Sequence, residues 1–257
     1  ADEAAFNGAD LSCVRDALCG GAPLGVPLLE RYQRRGIPLR QGFGMTEVGP
    51  NCFSMPAQRA LEKMRGTGHP SEGPPGSCVG LPIHLIEARI ADPSGKPLPD
   101  GQPGELLLRG PVVFGGYWAH PDATAGSMRD GWFCTGDVLS RDHEGYFHVR
   151  GRLKEMFISG GENVYPAEVE LALQQHPSVA LAAVVGVPDS HWGEVGRAFV
   201  ETLPGASVDA AALKTFLKGI LAKFKVPRTY HIVATEQLPR TASGKLDKAA
   251  LSRLSLP

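Results

Sequence analysis

Residues 151–170 read Gly-Arg-Leu-Lys-Glu-Met-Phe-Ile-Ser-Gly-Gly-Glu-Asn-Val-Tyr-Pro-Ala-Glu-Val-Glu, and the organisation of the chain turns on this stretch. Phe157 and Ile158 favour a strand, which the pattern places from Leu153 to Ile158. Ser159-Gly160-Gly161 then breaks it, and Pro166 suits the first turn of a helix. Val169, Leu171, Ala172 and Leu173 supply that helix with an apolar stripe, while Glu168 and Glu170 sit early, where the helix dipole favours acids. Arg150, Arg152 and Lys154 surround Gly151 at the point where two differently composed halves meet. Taken alone, those cations are equally what a solvated strand-turn-helix joint would carry.

Around this joint there is material for two domains. The chain has 257 residues, 42% of them apolar, and a net charge of -1 with acids and bases interspersed. Such a balance offers no basic face for nucleic acid. Cys13, Cys19, Cys52, Cys78 and Cys134 are odd in number and never spaced as C-x-x-C, which argues against a zinc site and a secreted disulfide framework and suits a reducing cytoplasm. No apolar run approaches the roughly 20 residues of a membrane helix, and the N-terminus lacks both a signal-peptide pattern and a starting Met, which points to a fragment.

Upstream, Val14–Cys19 reads as a buried strand ending at Gly20-Gly21-Ala22-Pro23, followed by a helix over 24–35 with Leu28, Leu29 and Tyr32 on one side. A second strand, 38–41, ends at the expected loop Gly42-Phe43-Gly44-Met45-Thr46-Glu47. Two strands would thus each deliver a glycine-containing loop, an arrangement that lets backbone approach a phosphate or base, although two tight turns would read the same way. Gly42-x-Gly44 is no dinucleotide fingerprint, because Glu47 occupies its sixth position. Residues 66–76 form a glycine- and proline-rich surface loop. Short strands at 83–91, 105–109, 112–114 and 146–149 then suggest a small β-barrel or sandwich. Within it, Asp137 follows Thr135-Gly136 and could take the vicinal hydroxyls of a ribose or cap a turn.

Downstream of the joint, strands at 179–187, 197–202 and 230–233 and a helix over 208–222 describe a compact α+β domain. Near its end, Ser243-Gly244-Lys245 lacks the G-x-x-x-x-G-K frame of a P-loop.

Six stretches, in order, together resemble the adenylate-forming superfamily of acyl-CoA synthetases, peptide-synthetase adenylation domains and luciferases. They are Gly20–Pro23, Gly42–Glu47, Gly104-Glu105-Leu106 with Gly116-Tyr117-Trp118, Trp132–Asp137, Gly151–Glu170 and Pro239–Lys245. The resemblance implies that residues 1–150 are the α/β (1–60) and β-barrel-like (78–150) remainder of a large N-terminal domain, and 151–257 a small mobile α+β lid. The Ser/Thr/Gly-rich loop that such enzymes place further upstream to hold the outer phosphates of ATP is not in this sequence, so the chain is expected to be the second half of such an enzyme and inactive by itself.

The resemblance also assigns roles. Lys245 would bridge carboxylate and phosphate oxygens, Thr46 would bond the α-phosphate, and Glu47 would hold Mg²⁺. Phe43 would lie on adenine, with Gly21, Ala22, Pro23, Gly42 and Gly44 supplying backbone, and Asp137 and Arg152 would take the ribose and phosphate side. Lys154 would be the hinge, and Ser159, Gly160 and Gly161 would border the channel for CoA. ATP or AMP, Mg²⁺ and CoA are the implied cofactors and a small carboxylic acid, fatty or aromatic, the substrate; a homodimer is compatible with this reading. A peptide-synthetase-type adenylation enzyme and a noncatalytic nucleotide-binding remnant of the fold are the alternatives.

Overall fold

The computed structural model describes residues 3–21, 24–69, 71–242, 244 and 246–254. Two sheets organise them. The first part of the chain supplies α1 (Glu3–Gly8), β1 (Ala17–Gly20), α2 (Val26–Arg34), β2 (Leu39–Met45), β3 (Gly49–Ser54), α3 (Ala60–Arg65), β4 (Cys78–Pro82), β5 (Glu87–Ala91), β6 (Gly104–Arg109), α4 (Pro121–Gly126), β7 (Met128–Arg129), β8 (Trp132–Arg141) and β9 (Phe147–Arg152). These strands run in the order β1-β2-β3-β4-β9-β8-β6-β5, with β7 beside β8. The β1–β2 pair is parallel and the later pairs are antiparallel. Two apolar layers cover it: Phe53, Leu106, Leu108, Leu139 and Phe147 fill one, and Leu29, Leu39, Met55 and Met64, with α2 and α3, the other.

The second sheet comprises β10 (Phe157–Ser159), β11 (Glu162–Val164), β12 (Val179–Asp189), β13 (Gly193–Thr202) and β14 (Thr229–Ile232), in the order β11-β10-β13-β12 with β14 beside β13. Helices α5 (Pro166–Leu173), α6 (Ala210–Lys218) and α7 (Lys248–Arg253) flank it. Strand alternation explains the layering. Ala182, Val184, Ala198 and Val200 face Val169, Leu173, Leu213 and Leu217, whereas Ala183, Val185 and Phe199 face Leu251 and Leu238. The 179–187 run reads as continuously apolar because both faces are covered.

Several elements differ from their sequence reading. The β-rich portion is an open extension of the first sheet rather than a closed barrel, since among the described strands β5 ends the path, paired with β6. The stretch 42–45 is strand rather than loop: β2 continues to Met45, and its glycines serve close approach, a Cβ on Gly44 falling 2.3 Å from the Gly49 carbonyl oxygen. Residues 112–114 are a turn, closed by Val113 N donating to Gly110 O at 3.1 Å, whose side chains pack into the first layer. Residues 153–156 also turn, Glu155 N and Met156 N both donating to Arg152 O at 3.1 Å, so the strand starts only at Phe157. Helix α6 is shorter than 208–222. Asp209 caps it by accepting from Ala212 N at 2.7 Å, and a separate 3-10 turn occupies Lys223–Lys225.

Candidate functional site

The carboxyl end of β1 pairs in parallel with the middle of β2, Gly20 lying opposite Gly42 in register, and β2 runs on to Met45. A Cβ on Gly20 would lie 3.0 Å from the Gly42 carbonyl oxygen, and Gly21 leaves β1 with φ +85°. Crevices at such strand ends are where open sheets bind ligands. The chain returns to this edge immediately: buried Gln41 accepts the Leu24 amide on its Oε1 at 3.1 Å. Ala22 and Pro23, between them, lie outside the described residues. Asn51 overhangs Gly42, its Oδ1 2.5 Å from where a Cβ would sit.

Phe43 is half-buried and meets Phe53 edge-on, ring centroids 5.6 Å apart. Its carbonyl accepts from the Cys52 Sγ at 3.3 Å. Burial pushes the Cys52 thiol up to about 12, and the negative charge of Asp137 adds a smaller contribution in the same direction. Gly136, at φ +71°, turns β8 just before Asp137. The kink is held by Gly136 N donating to Glu105 Oε1 at 3.1 Å and by Thr135 Oγ1, which accepts from Asp137 N at 3.1 Å and donates to Leu106 O at 2.9 Å. Asp137 pairs in register with Arg152 of β9, and Arg152 Nε lies 2.9 Å from Asp137 Oδ1. The carboxylate is almost buried and the guanidinium 58% exposed, so the cation can leave without unfolding anything.

Thr46 is exposed and Glu47 half-buried in the turn after β2, closed by Val48 N donating to Met45 O at 3.1 Å. Tyr117 donates its hydroxyl to Glu47 Oε1 at 2.8 Å, and Phe114 N donates to Glu47 O at 2.8 Å. Burial, and then Glu47, raise the Tyr117 hydroxyl above its ordinary range. Among the described residues no group of three metal-ligating side chains occurs. A single carboxylate suits a hard ion whose remaining ligands arrive with a polyphosphate, not one held in a protein cage.

The cations around Gly151 are divided by a bulge in β9, where the pairing with β8 passes from Gly151 to Val149 and skips Arg150. Arg150 turns inward, donating to Ser140 Oγ and Glu72 O at 2.9 Å each, and burial lowers its pKa. Arg152 turns outward to Asp137. Lys154 is exposed on the turn that follows, which is tied to the site by Leu153 N donating to Gly136 O at 2.9 Å. Ser159 is buried at the end of β10. Gly160 faces the Trp192 ring, where a Cβ would fall 2.7 Å from Cε3, while Gly161, at φ +88°, has open space around it. That space belongs to a cleft of about 490 Å³ lined by Arg150, Tyr165, Glu168, Lys225 and the 101–103 loop. Lys245 lies outside the described residues.

The structure therefore places Gly21 at the end of β1 and Gly42 and Phe43 on β2, pairs Asp137 with Arg152 across β8 and β9, and sets Thr46 and Glu47 in the turn after β2. Sequence reasoning gave no role to Asn51, Glu105 or Tyr117. Glu105 and Tyr117 carried a signal, since they stand in the Gly104-Glu105-Leu106 and Gly116-Tyr117-Trp118 stretches; Asn51 is defined by pairing alone.

Residues 1–118 match the model of the AMP-binding enzymes and residues 168–245 that of the AMP-binding enzyme C-terminal domain. A feruloyl-CoA synthase of Amycolatopsis sp is 45% identical over 248 residues, covering 96% of this chain and 48% of the relative. Among solved structures, o-succinylbenzoate CoA synthetase of Bacillus subtilis in complex with its acyl-adenylate intermediate superposes with a TM-score of 0.81 at 34% identity, covering 94% of this chain and 46% of that one. The same enzyme in complex with ATP and a magnesium ion gives 0.79 at 35%, covering 92% and 46%. An amide bond synthetase of Marinactinospora thermotolerans gives 0.87 at 33%, covering 98% and 49%. The chain thus spans about half the length of the relatives it matches.

Proposed function

Given that the chain belongs to the family of AMP-binding, adenylate-forming enzymes, we propose that it supplies the nucleotide edge (1–150) and the lid (151–257) of an AMP-forming acid–thiol ligase of the cytoplasm. Such an enzyme joins a fatty or aromatic carboxylic acid to AMP and then passes the acyl group to CoA. The observation that carries the reading is the parallel pairing of Gly20, where β1 ends, with Gly42 of β2, together with the Asp137–Arg152 ion pair across β8 and β9.

The chemistry asks little acid–base work of the protein. A carboxylic acid, with a pKa of about 4 to 5, is already ionised at neutral pH, so attack on the α-phosphate needs no general base. It needs positive charge, because two anions must meet. Phe43 offers a ring edge for adenine, and the glycine backbone at 20–21 and 42 lets the base lie close. Asp137 takes the ribose hydroxyls once Arg152 swings to the phosphate side. Thr46 donates to the α-phosphate. Glu47, oriented by Tyr117, would hold a magnesium ion, which would supply positive charge to the phosphates. Lys245 approaches from the lid for the first step, and the Ser159-Gly160-Gly161 edge replaces it for the second, with the space at Gly161 admitting the thiol arm of CoA. An aromatic acid is favoured by the feruloyl-CoA relative. A noncatalytic remnant would have no reason to keep Asp137 and Glu47 in these positions.

The test is acid-dependent exchange of pyrophosphate into ATP, and thioester formation from ferulate and CoA, by the protein that contains this chain. Both are expected, with Asp137→Ala raising KM for ATP and lowering exchange by about 10² or more as an oriented contact is lost. Wild-type protein inert with every aromatic and fatty acid, yet binding AMP, would instead establish the remnant.

A further inference from the structure

Among the described residues, Lys248 forms a partly buried ionic cluster distinct from the Asp137–Arg152 pair. Its Nζ lies 2.6 Å from Glu155 Oε2 and 2.8 Å from Glu170 Oε1. Glu155 belongs to the turn at the joint, one residue after Lys154, while Glu170 belongs to α5 and also accepts the Val184 amide of β12 at 2.8 Å. The Lys248–Glu155 contact bridges 93 residues of sequence.

Lys248 also opens α7, at the base of the 239–247 loop. That base is closed: Asp247 N donates to Pro239 O at 2.8 Å, Arg240 and Leu246 form an antiparallel bridge, and Arg240 Nη1 donates to Gly244 O at 2.9 Å. Asp247 caps α7 through Ala250 N at 2.9 Å, and Leu246 packs in the layer with Phe199 and Leu251. The described residues at the base of this loop are therefore fastened to one another, and the ammonium at their end is tied both to the joint and to α5.

We propose that Lys248 is a positioning residue for adenylation: held by Glu155 and Glu170, it fixes the Lys245 loop to the pivot of the lid, so that the loop arrives at the acyl-phosphate junction in one register whenever the lid turns. The inference rests on the proposed role of Lys245. Stability alone explains the cluster poorly, because ion pairs open to solvent contribute little and these side chains are 15–30% exposed. Placement explains it better, since a misplacement of about 1 Å costs on the order of 10²-fold in rate. Because the ammonium clips the 239–247 loop, its effect is expected in the first half-reaction.

The two half-reactions separate the proposal from a general loss of structure. In the enzyme containing this chain, Lys248→Met is expected to lower pyrophosphate exchange by about 10², with KM for ATP unchanged. Thioester formation from a synthetic acyl adenylate and CoA should keep its wild-type rate, and Lys248→Arg should restore exchange. Equal loss in both half-reactions, or loss in neither, overturns the proposal. Should Lys248→Met fail to fold, Glu155→Gln, which leaves the Glu170 contact, must show a smaller loss confined to exchange; loss in both steps, or none, overturns it equally. Lys245→Ala is the control. If it retains exchange, the reading of Lys245 is wrong; if it loses exchange while Lys248→Met does not, only the positioning role is wrong.

Discussion

Gly44 leaves no room for a side chain, because β3 crosses it with the Gly49 carbonyl oxygen 2.3 Å and the Pro50 carbonyl carbon 2.4 Å from an added Cβ. Backbone cannot yield as a flexible side chain would. Gly44→Ala is expected to destabilise by about 1–3 kcal/mol through overpacking, read as a lower urea midpoint, and to weaken AMP binding because Phe43 and Thr46 shift with it. Cys52 makes a second prediction at this scale. With its thiol held up at about 12 by burial and by Asp137, and the Cys78 thiol raised to about 12 mainly by burial, both should resist iodoacetamide at pH 8. Exposed Cys13 and Cys19 should be alkylated. Rapid labelling of Cys52 in the folded protein would mean that Cys52 and Phe43 are not packed as described. From sequence, Asp137 could equally have capped a turn. What favours the proposed site role is its pairing with Arg152 across β8 and β9, which does not follow from local pattern.

At the scale of elements, the loop 66–76 is fastened from below. Lys63 of α3 is fully buried, 3.2 Å from Asp142 Oδ2 and 3.8 Å from Glu72 Oε1, in contact with Glu144 and with its ammonium 4.5 Å from the Tyr146 ring centroid. Glu72 in turn accepts Thr67 N and Thr67 Oγ1 at 2.6 and 3.1 Å. Lys63→Met leaves buried carboxylates without their cation and is expected to cost about 3–5 kcal/mol, measurable by denaturant unfolding. The same cluster sets the acid limit of stability. Burial lowers the pKa of His148, more than its hydrogen bond to Asp142 raises it, so the folded protein resists a proton that the unfolded chain accepts. Stability from this group is complete above the ordinary imidazole range and falls as pH drops through it toward the lower folded value. Burial opposes the ionised form of Asp142, yet hydrogen bonds from His148, the Tyr146 amide and Lys63 outweigh it and hold the carboxyl low, so its contribution is lost at still lower pH. In a Tm-against-pH series, the slope between about pH 7 and pH 5 should flatten in His148→Gln; an unchanged slope would exclude His148 as its source.

The sequence shows where α5 starts, because Pro166 and the stripe from Val169 to Leu173 are local signals. It misplaced the end of β2, because glycine serves close strand approach as readily as a turn. The Lys63 cluster could not be read at all: Lys63 and Asp142 are 79 residues apart, and a lysine in a short helix looks solvated.

At the scale of the whole molecule, two sheets meet at the turn 153–156, where Leu153 N reaches back to Gly136 O, Arg152 to Asp137, and Glu155 forward to Lys248. Few residues at the end of an element suffice to absorb a domain rotation. The described bonds of this turn are donated by Leu153, Glu155 and Met156, so a proline at 154 removes none of them while fixing φ at the proposed pivot. The most direct measurement of a lid that serves one pocket with two faces is therefore the separate rate of each half-reaction in Lys154→Pro of the enzyme containing this chain. Pyrophosphate exchange close to that of the wild type, with thioester formation reduced by an order of magnitude or more, is the expected result. Equal loss in both steps, or thioester formation at the wild-type rate, would contradict a turning lid.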